Sequence, residues 1–196
     1  MNEQRHKDEF ELSWWTSFCN SCCNTYMEDT KHYTYARLMG LTQKYHYFVL
    51  PNISVIDIGG GPTSMLLKCR GLTSGVIIDP IEYPEWTKQR YQSVNITTIV
   101  ARGEDIEVAG QEKAFDEAWI YNCLQHTDDP ELIIRNAKQL ASKVRIFEWI
   151  DVPAHEGHPQ ELKEALLNKW LGGKGHVTNL SENGCYGKSY SGVFIS

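Results

Sequence analysis

Two carboxylates and a run of glycines form the most chemically pointed feature of this sequence. They are Asp57 in Val55-Ile56-Asp57-Ile58-Gly59-Gly60-Gly61, and Asp79, which follows about twenty residues after the first glycine. Glycines at a strand-to-helix turn let the backbone approach a bound ligand with no Cβ in the way. A helix after the turn offers unpaired N–H groups and the positive end of its dipole. An acid at the tip of the next strand can accept hydrogen bonds from both hydroxyls of a ribose. The combination points to a nucleoside-containing ligand. A dinucleotide site would want G-x-G-x-x-G, and Ser64 stands where the third glycine should fall. Asp57 also argues against a dinucleotide: a carboxylate facing the turn repels a pyrophosphate and attracts an ammonium group.

Those residues need strands and helices to hold them, and the chain supplies both in alternation. Ile53 to Ile58 reads as a β-branched buried strand entering the glycine turn, with a helix expected over Pro62 to Arg70. Gly75 to Ile78, Val94 to Val100, Phe115 to Tyr121 and Val144 to Ile150 read as further strands. Helices are expected over Tyr83 to Gln92, from Asp129-Pro130 (cap and first turn) through about Ser142, and over Pro159 to Leu171 with Gly172 as the stop. Leu162, Ala165, Leu166 and Trp170 mark the expected buried side of the last helix. Residues 185–190 and 192–195 read as a terminal pair of short strands. This order predicts an α/β fold, a Rossmann-like three-layer sandwich. Its sheet is mostly parallel and seven-stranded, with an antiparallel C-terminal hairpin and an N-terminal helical cap. Residues 51–196 form the ligand-binding core, and residues 1–50 form a cap belonging to the same domain. In such sheets the ligand lies at the carboxyl ends of the strands, where strand order reverses.

Taken together, these residues resemble the class I methyltransferases that use S-adenosyl-L-methionine. Asp57-Ile58-Gly59-Gly60-Gly61 matches the first motif of that family. Asp79, with Ile81 as its apolar neighbour, matches the second, and Gly103-Glu104-Asp105 matches the third. Phe115-Asp116 through Leu124-Gln125-His126 and Asp129-Pro130 match the fourth. The resemblance covers about residues 50–196. It implies that Asp57 faces the ammonium of the cofactor and Gly59, Gly60 and Gly61 lie beside its methionine part. Asp79 would hold the ribose, Ile81 would flank the adenine, and Glu104 or Asp105 would take its amino group. Tyr121 and Asn122, at the tip of the fourth core strand, would line the methyl channel.

The implied activity is transfer of a methyl group to an oxygen or nitrogen of a small-molecule acceptor, with a sugar or sugar-lipid intermediate among the candidates. The short interval from Gly172 to Ser196 favours a small acceptor over a folded protein. His126, just past that strand, and Glu148, on the next, are the candidate catalytic bases. The alternatives are a cofactor-binding module acting through a partner and, disfavoured by Ser64 and Asp57, an NAD-type oxidoreductase. The N-terminal aromatics, among them Trp14, Trp15, Phe18, His32, Tyr35 and Phe48, are expected mostly to pack, with one or two reaching the acceptor. Lys31 and Arg37 are candidates for the cofactor carboxylate.

Composition narrows the partners further. The 196 residues carry 19 Lys plus Arg against 25 Asp plus Glu, so no basic face for a phosphate backbone is expected, nor nucleic acid as partner. No apolar run nears the roughly 20 residues that cross a bilayer, and residues 1–11 do not read as a signal peptide. The expected location is cytoplasmic, without membrane insertion, with the six cysteines as reduced thiols. Cys19-x-x-Cys22-Cys23 lacks the second Cys/His pair that a structural zinc would want. His155-Glu156-Gly157-His158 has the wrong spacing for a zincin, and Gly157 and Pro159 predict a loop there. No metal is expected.

Overall fold

The computed structural model describes residues 3–16 and 22–196, with side chains described over 9–15 and 26–196. Two helices, α1 (Glu3–Thr16) and α2 (Cys22–Leu38), precede a small hairpin of β1 (Thr42–Lys44) and β2 (Tyr47–Ile58). There follow β3 (Cys69–Asp79), α3 (Glu85–Gln92), β4 (Ile96–Val100), β5 (Phe115–Tyr121), α4 (Pro130–Leu140), β6 (Ala141–Trp149), α5 (Glu164–Leu171), β7 (His176–Glu182) and β8 (Cys185–Ile195). The sheet runs β4-β3-β2-β5-β6-β8-β7, with β1 added beside β2. Strands β4 through β6 along that path are parallel, whereas β8 is antiparallel to both β6 and β7.

Period-two alternation sorts the strand residues onto two faces. Ile56, Ile58, Ala118, Ile120, Val144 and Ile146 face one way, against Ile133, Ile134, Ala137 and Leu140 of α4 and Leu167 and Leu171 of α5. Val55, Ile77, Trp119, Tyr121 and Phe147 face the other, against Tyr35, Ala36 and Met39 of α2 and Tyr91 of α3. The result is the expected three layers. Asp129 caps α4, its carboxylate accepting from the Leu132 N–H at 2.9 Å, with Pro130 in the first turn.

Several boundaries differ from the sequence reading, each for a physical reason. No helix follows the glycine turn; two 3₁₀ turns, Gly61–Thr63 and Met65–Lys68, take its place. Cys69 pairs with Phe48, near the start of β2, so the connection must retrace most of that strand. An α-helix advances ~1.5 Å per residue against ~3.3 Å for a strand, too little to return the chain so far. The first core strand begins before Ile53 because Pro51-Asn52 passes through a bulge, with Asn52 at φ 57°, instead of ending the strand. Residues 42–50 therefore belong to the sheet and not to the helical cap.

The terminal hairpin turns at Asn183-Gly184, both left-handed (φ 51° and 74°), so its strands are longer and earlier than expected. The last helix starts only at Glu164, since 159–163 runs as an extended segment whose Leu162 carbonyl accepts from the Asp151 N–H. Its buried side carries Leu167 and Leu171, while Leu166 is exposed. No helix among the described residues is long and apolar enough to cross a membrane. Cys69, Cys123 and Cys185 are free thiols, whereas the Cys19–Cys23 group lies outside the residues with described side chains.

One polar cluster ties the sheet to α2. Glu117, buried, accepts from Arg145 Nε at 2.6 Å, Lys143 Nζ at 2.8 Å and Trp119 Nε1 at 2.9 Å. Arg145 also donates to the Met39 carbonyl at the end of α2. Burial alone would raise the Glu117 pKa, but the bonds from Arg145, Lys143 and Trp119 outweigh it and hold the pKa at about 2. A depressed carboxylate pKa stabilises the fold above the unfolded value and loses that contribution as pH falls through the folded one. Glu117→Ala is expected to cost about 3 kcal/mol at pH 7 in urea unfolding, because it strands two cations. The gap from the parent protein should narrow toward pH 2; a gap constant with pH would contradict this account.

Candidate functional site

The glycine turn is braced from below. Asp57, fully buried on the α2 face of the sheet, accepts hydrogen bonds from the Ser64 and Tyr121 hydroxyls, the latter at 2.7 Å. Tyr121 Oη also accepts from the Met65 N–H at 3.0 Å, and Ser64 Oγ accepts from the Leu66 N–H at 3.0 Å. Burial raises the Asp57 carboxyl to about 7, against the two hydroxyl bonds that lower it. Above the turn, Asp79 at the tip of β3 accepts from the Gly61 N–H at 3.1 Å and the Ile81 N–H at 3.0 Å. Burial raises its pKa to about 6, with the bonds from Ile81 and Gly61 pulling the other way. Gly59 has φ 79°, and a Cβ there would lie 2.6 Å from Cys123 Cβ, so only glycine fits.

Over this turn lies a cavity of about 450 Å³ at the carboxyl ends of the strands. Gly59, Gly61, Asp79, Ile81 and Gly103 line one part of it. Asn122, His126, Trp149, His155 and His158 line another, and Phe10, Glu11, Trp14 and Trp15 from α1 close over it. From α2, Glu28 and Lys31 reach in as an ion pair at 2.7 Å. Among the described lining residues, Glu11, Glu28 and Asp79 supply three carboxylates and Lys31 the single ammonium. His126 Nδ1 lies 2.7 Å from the Gly157 carbonyl and 3.0 Å from Glu11 Oε1. Burial lowers the His126 pKa, but the Glu11 carboxylate and the Gly157 carbonyl outweigh it, and the net shift is upward.

The sheet order reverses at β2 and β5, and the cavity opens at that switch point. A dinucleotide-binding sheet continues in parallel to its sixth strand. Here β8 enters antiparallel between β6 and β7. No protein-family profile matches the sequence, and no curated protein matches it. Solved structures do match. The 1,6-didemethyltoxoflavin N1-methyltransferase of Burkholderia thailandensis, solved with that compound and S-adenosylhomocysteine, has a TM-score of 0.61 at 16% identity, over 97% of this chain and 88% of that one. An S-adenosylmethionine-dependent methyltransferase of Aquifex aeolicus has a TM-score of 0.51 at 15% identity, over 100% of both chains. The chain has the class I methyltransferase fold. The cyclase SpnF matches as well, with a TM-score of 0.56 at 13% identity over 89% of this chain and 71% of that one. The methyltransferase fold therefore does not dictate the reaction, and the site must argue it.

Within this methyltransferase fold, six of the candidate residues line the cavity: Gly59, Gly61, Asp79, Ile81, Asn122 and His126. Asp57 and Tyr121 do not, because strand alternation points them to the opposite face, where they bond each other. Gly60 packs against the Asp57 carboxylate; a Cβ there would meet it at 2.7 Å. Glu104 accepts from the Asp128 and Asp129 N–H groups at 2.9 and 3.2 Å and pairs with Arg102, so it clamps the entry to α4. Asp105 is exposed, and the backbone at Gly103 takes the place on the wall. Glu148 lies fully buried, its Oε1 accepting from the Cys123 and Leu124 N–H groups at 3.1 Å each. Burial raises its pKa to about 7. Arg37 pairs with Glu182, away from the cavity, while Lys31 lines it.

His155 and His158 form a tight bridge within a loop, as their glycine and proline neighbours predicted. Of the N-terminal aromatics, Trp14 and Trp15 reach the cavity, whereas His32, Tyr35 and Phe48 are buried in the core. Phe18 lies outside the described residues. Sequence reading missed Phe10, Glu11, Glu28 and Trp149. Only Trp149, at a strand's carboxyl end, carried a positional signal.

Proposed function

We propose that this chain binds S-adenosyl-L-methionine and transfers its methyl group to an oxygen or nitrogen of a small-molecule acceptor. The carrying observation is the charge of the cavity at the switch point, three carboxylates against one lysine. Such a lining suits a ligand with a sulfonium and an ammonium, and opposes a pyrophosphate. When bound, the cofactor supplies an electrophilic methyl group on a sulfur that leaves as a neutral thioether.

In this reading Asp79 holds the ribose hydroxyls with its remaining lone pairs, and Gly59 and Gly61 lie beside the methionine part. Ile81 and Gly103 flank the adenine, and Asn122 lies toward the methyl end. Asp57, Gly60, Tyr121, Glu104 and Glu148 act at one remove, holding the glycine turn and the segment after β5 in shape. Asp105 has no place in it. The helices of residues 1–50 form the cover: Phe10, Trp14 and Trp15 exclude water and hold the acceptor in line, the main source of acceleration for so good a leaving group. His126 takes the acceptor's proton.

A structural neighbour solved with S-adenosylhomocysteine and D-fucose supports a small acceptor, as does the 1,6-didemethyltoxoflavin bound in the Burkholderia enzyme. Calorimetry tests the reading: S-adenosylhomocysteine should bind and NAD should not. Failure of S-adenosylhomocysteine to bind overturns it. Release of S-adenosylhomocysteine in the presence of candidate acceptors separates a transferase from a binding module.

A further inference from the structure

His126 has two distinct ring nitrogens, and the protein has claimed only one. The Gly157 carbonyl at 2.7 Å and Glu11 Oε1 at 3.0 Å both face Nδ1. Both are acceptors, so Nδ1 must carry the proton, and the neutral ring then bears its lone pair on Nε2. Nε2 has no hydrogen-bond partner among the described residues, and the ring lines the cavity.

Glu11 sits on α1, whose Phe10, Trp14 and Trp15 form the cover of the same cavity. The other groups facing the ring are Glu148 from β6 and, from the loop after it, His158, whose ring centroid lies 4.5 Å away, with His155 behind it. Burial, aided by the His126 and His155 charges, holds the His158 pKa down at about 4, so His158 is neutral near pH 7.

We propose that Glu11 is the positioning residue of a Glu11–His126 pair, whose Nε2 takes the proton of a neutral acceptor bearing an O–H or N–H group. This rests on the methyltransferase reading and narrows its acceptor to one that must lose a proton. In the step the acceptor's O–H or N–H bond breaks and its electron pair stays on the oxygen or nitrogen. The proton bonds to Nε2, and the imidazolium so formed has its charge offset by the Glu11 carboxylate. Because Glu11 arrives on α1, the base is complete only when the cover lies on the site.

Nitrogen-15 NMR of the cofactor-free protein, with His126 assigned by comparison with His126→Ala, tests the pair without turnover. The expected neutral tautomer carries its proton on Nδ1, and protonation has its midpoint above the usual value near 6.5. In Glu11→Gln the midpoint should fall by about one unit, since a charged partner is replaced by a neutral one. The acidic limb of kcat should move to lower pH with it, and kcat at its plateau should drop about tenfold. S-adenosylhomocysteine affinity above about pH 7 should stay within about twofold, because Glu11 bonds the His126 ring and acts on Asp79 only through its charge, which raises the Asp79 pKa. An Nε2–H tautomer, or an unmoved midpoint in Glu11→Gln, overturns the pair. A protein that binds no S-adenosylhomocysteine but shows the expected tautomer and shift instead overturns the methyltransferase reading alone.

Discussion

Asp79→Ala should weaken S-adenosylhomocysteine binding by about 100-fold or more. The carboxylate serves two tasks from one position. Its oxygens hold the Gly61 and Ile81 N–H groups at 3.1 and 3.0 Å, which fixes the glycine turn against the tip of β3. The carboxylate, which also takes a bond from the Tyr83 hydroxyl, lines the cavity, where ribose hydroxyls would donate to it. Hydrogen bonds to a charged group contribute roughly 1.5–3 kcal/mol each, so two lost ribose bonds alone account for a hundredfold. Two stranded backbone donors add to it. The sign of the pH dependence follows from the same residue: its pKa is held at about 6, and a protonated carboxyl loses acceptor capacity. Affinity should therefore fall as pH drops through about 6, and Asp79→Asn should abolish that fall. Calorimetry at pH 7.5 and 5, with melting curves to show that each variant is folded, checks both. Unchanged affinity in Asp79→Ala would remove Asp79 from the site.

Turnover is expected to collapse in His126→Ala while the cofactor stays bound. General-base catalysis contributes about 10²–10⁴-fold, so kcat should fall by that order. S-adenosylhomocysteine affinity should change by less than about threefold, since the Asp79 side of the cavity is untouched. Truncation also deletes the contact with the Gly157 carbonyl, which joins the segment after β5 to the His155–His158 loop. Some loss of stability, about 1 kcal/mol, is expected from that alone. Free imidazole distinguishes the two effects: in the space left by the ring it should restore part of the turnover and none of the stability. Equal turnover in the variant and the parent protein would remove His126 as the base, and Glu11 with it.

Much of this was legible along the chain because it depends on neighbours in sequence. Short, near-continuous apolar runs identify the strands, since burial on both faces of a parallel sheet demands them. Asp129-Pro130 announces the start of α4, because a cap satisfies N–H groups only a few residues away. The glycine turn and Asp79 are likewise local in origin, and they do meet at the cavity.

Tertiary structure decided the rest. Whether Asp57 faces the ligand or the core depends on which side of β2 it occupies, and α2 and the segment at Ser64 settle that. The connection after the turn is 3₁₀ because β3 starts level with Phe48, a register that no local pattern encodes. Glu11 illustrates the limit best. Along the chain it is one acid among several on a polar N-terminal stretch of mixed charge, and His126 is one histidine after a strand. Their meeting at 3.0 Å is set by how α1 lies across the ends of β2, β3 and β5. Residue types and spacing determine what chemistry is available to this chain; long-range packing selects the side chains that face one another, because a contact distance between remote segments is a property of the folded layers and not of any local stretch.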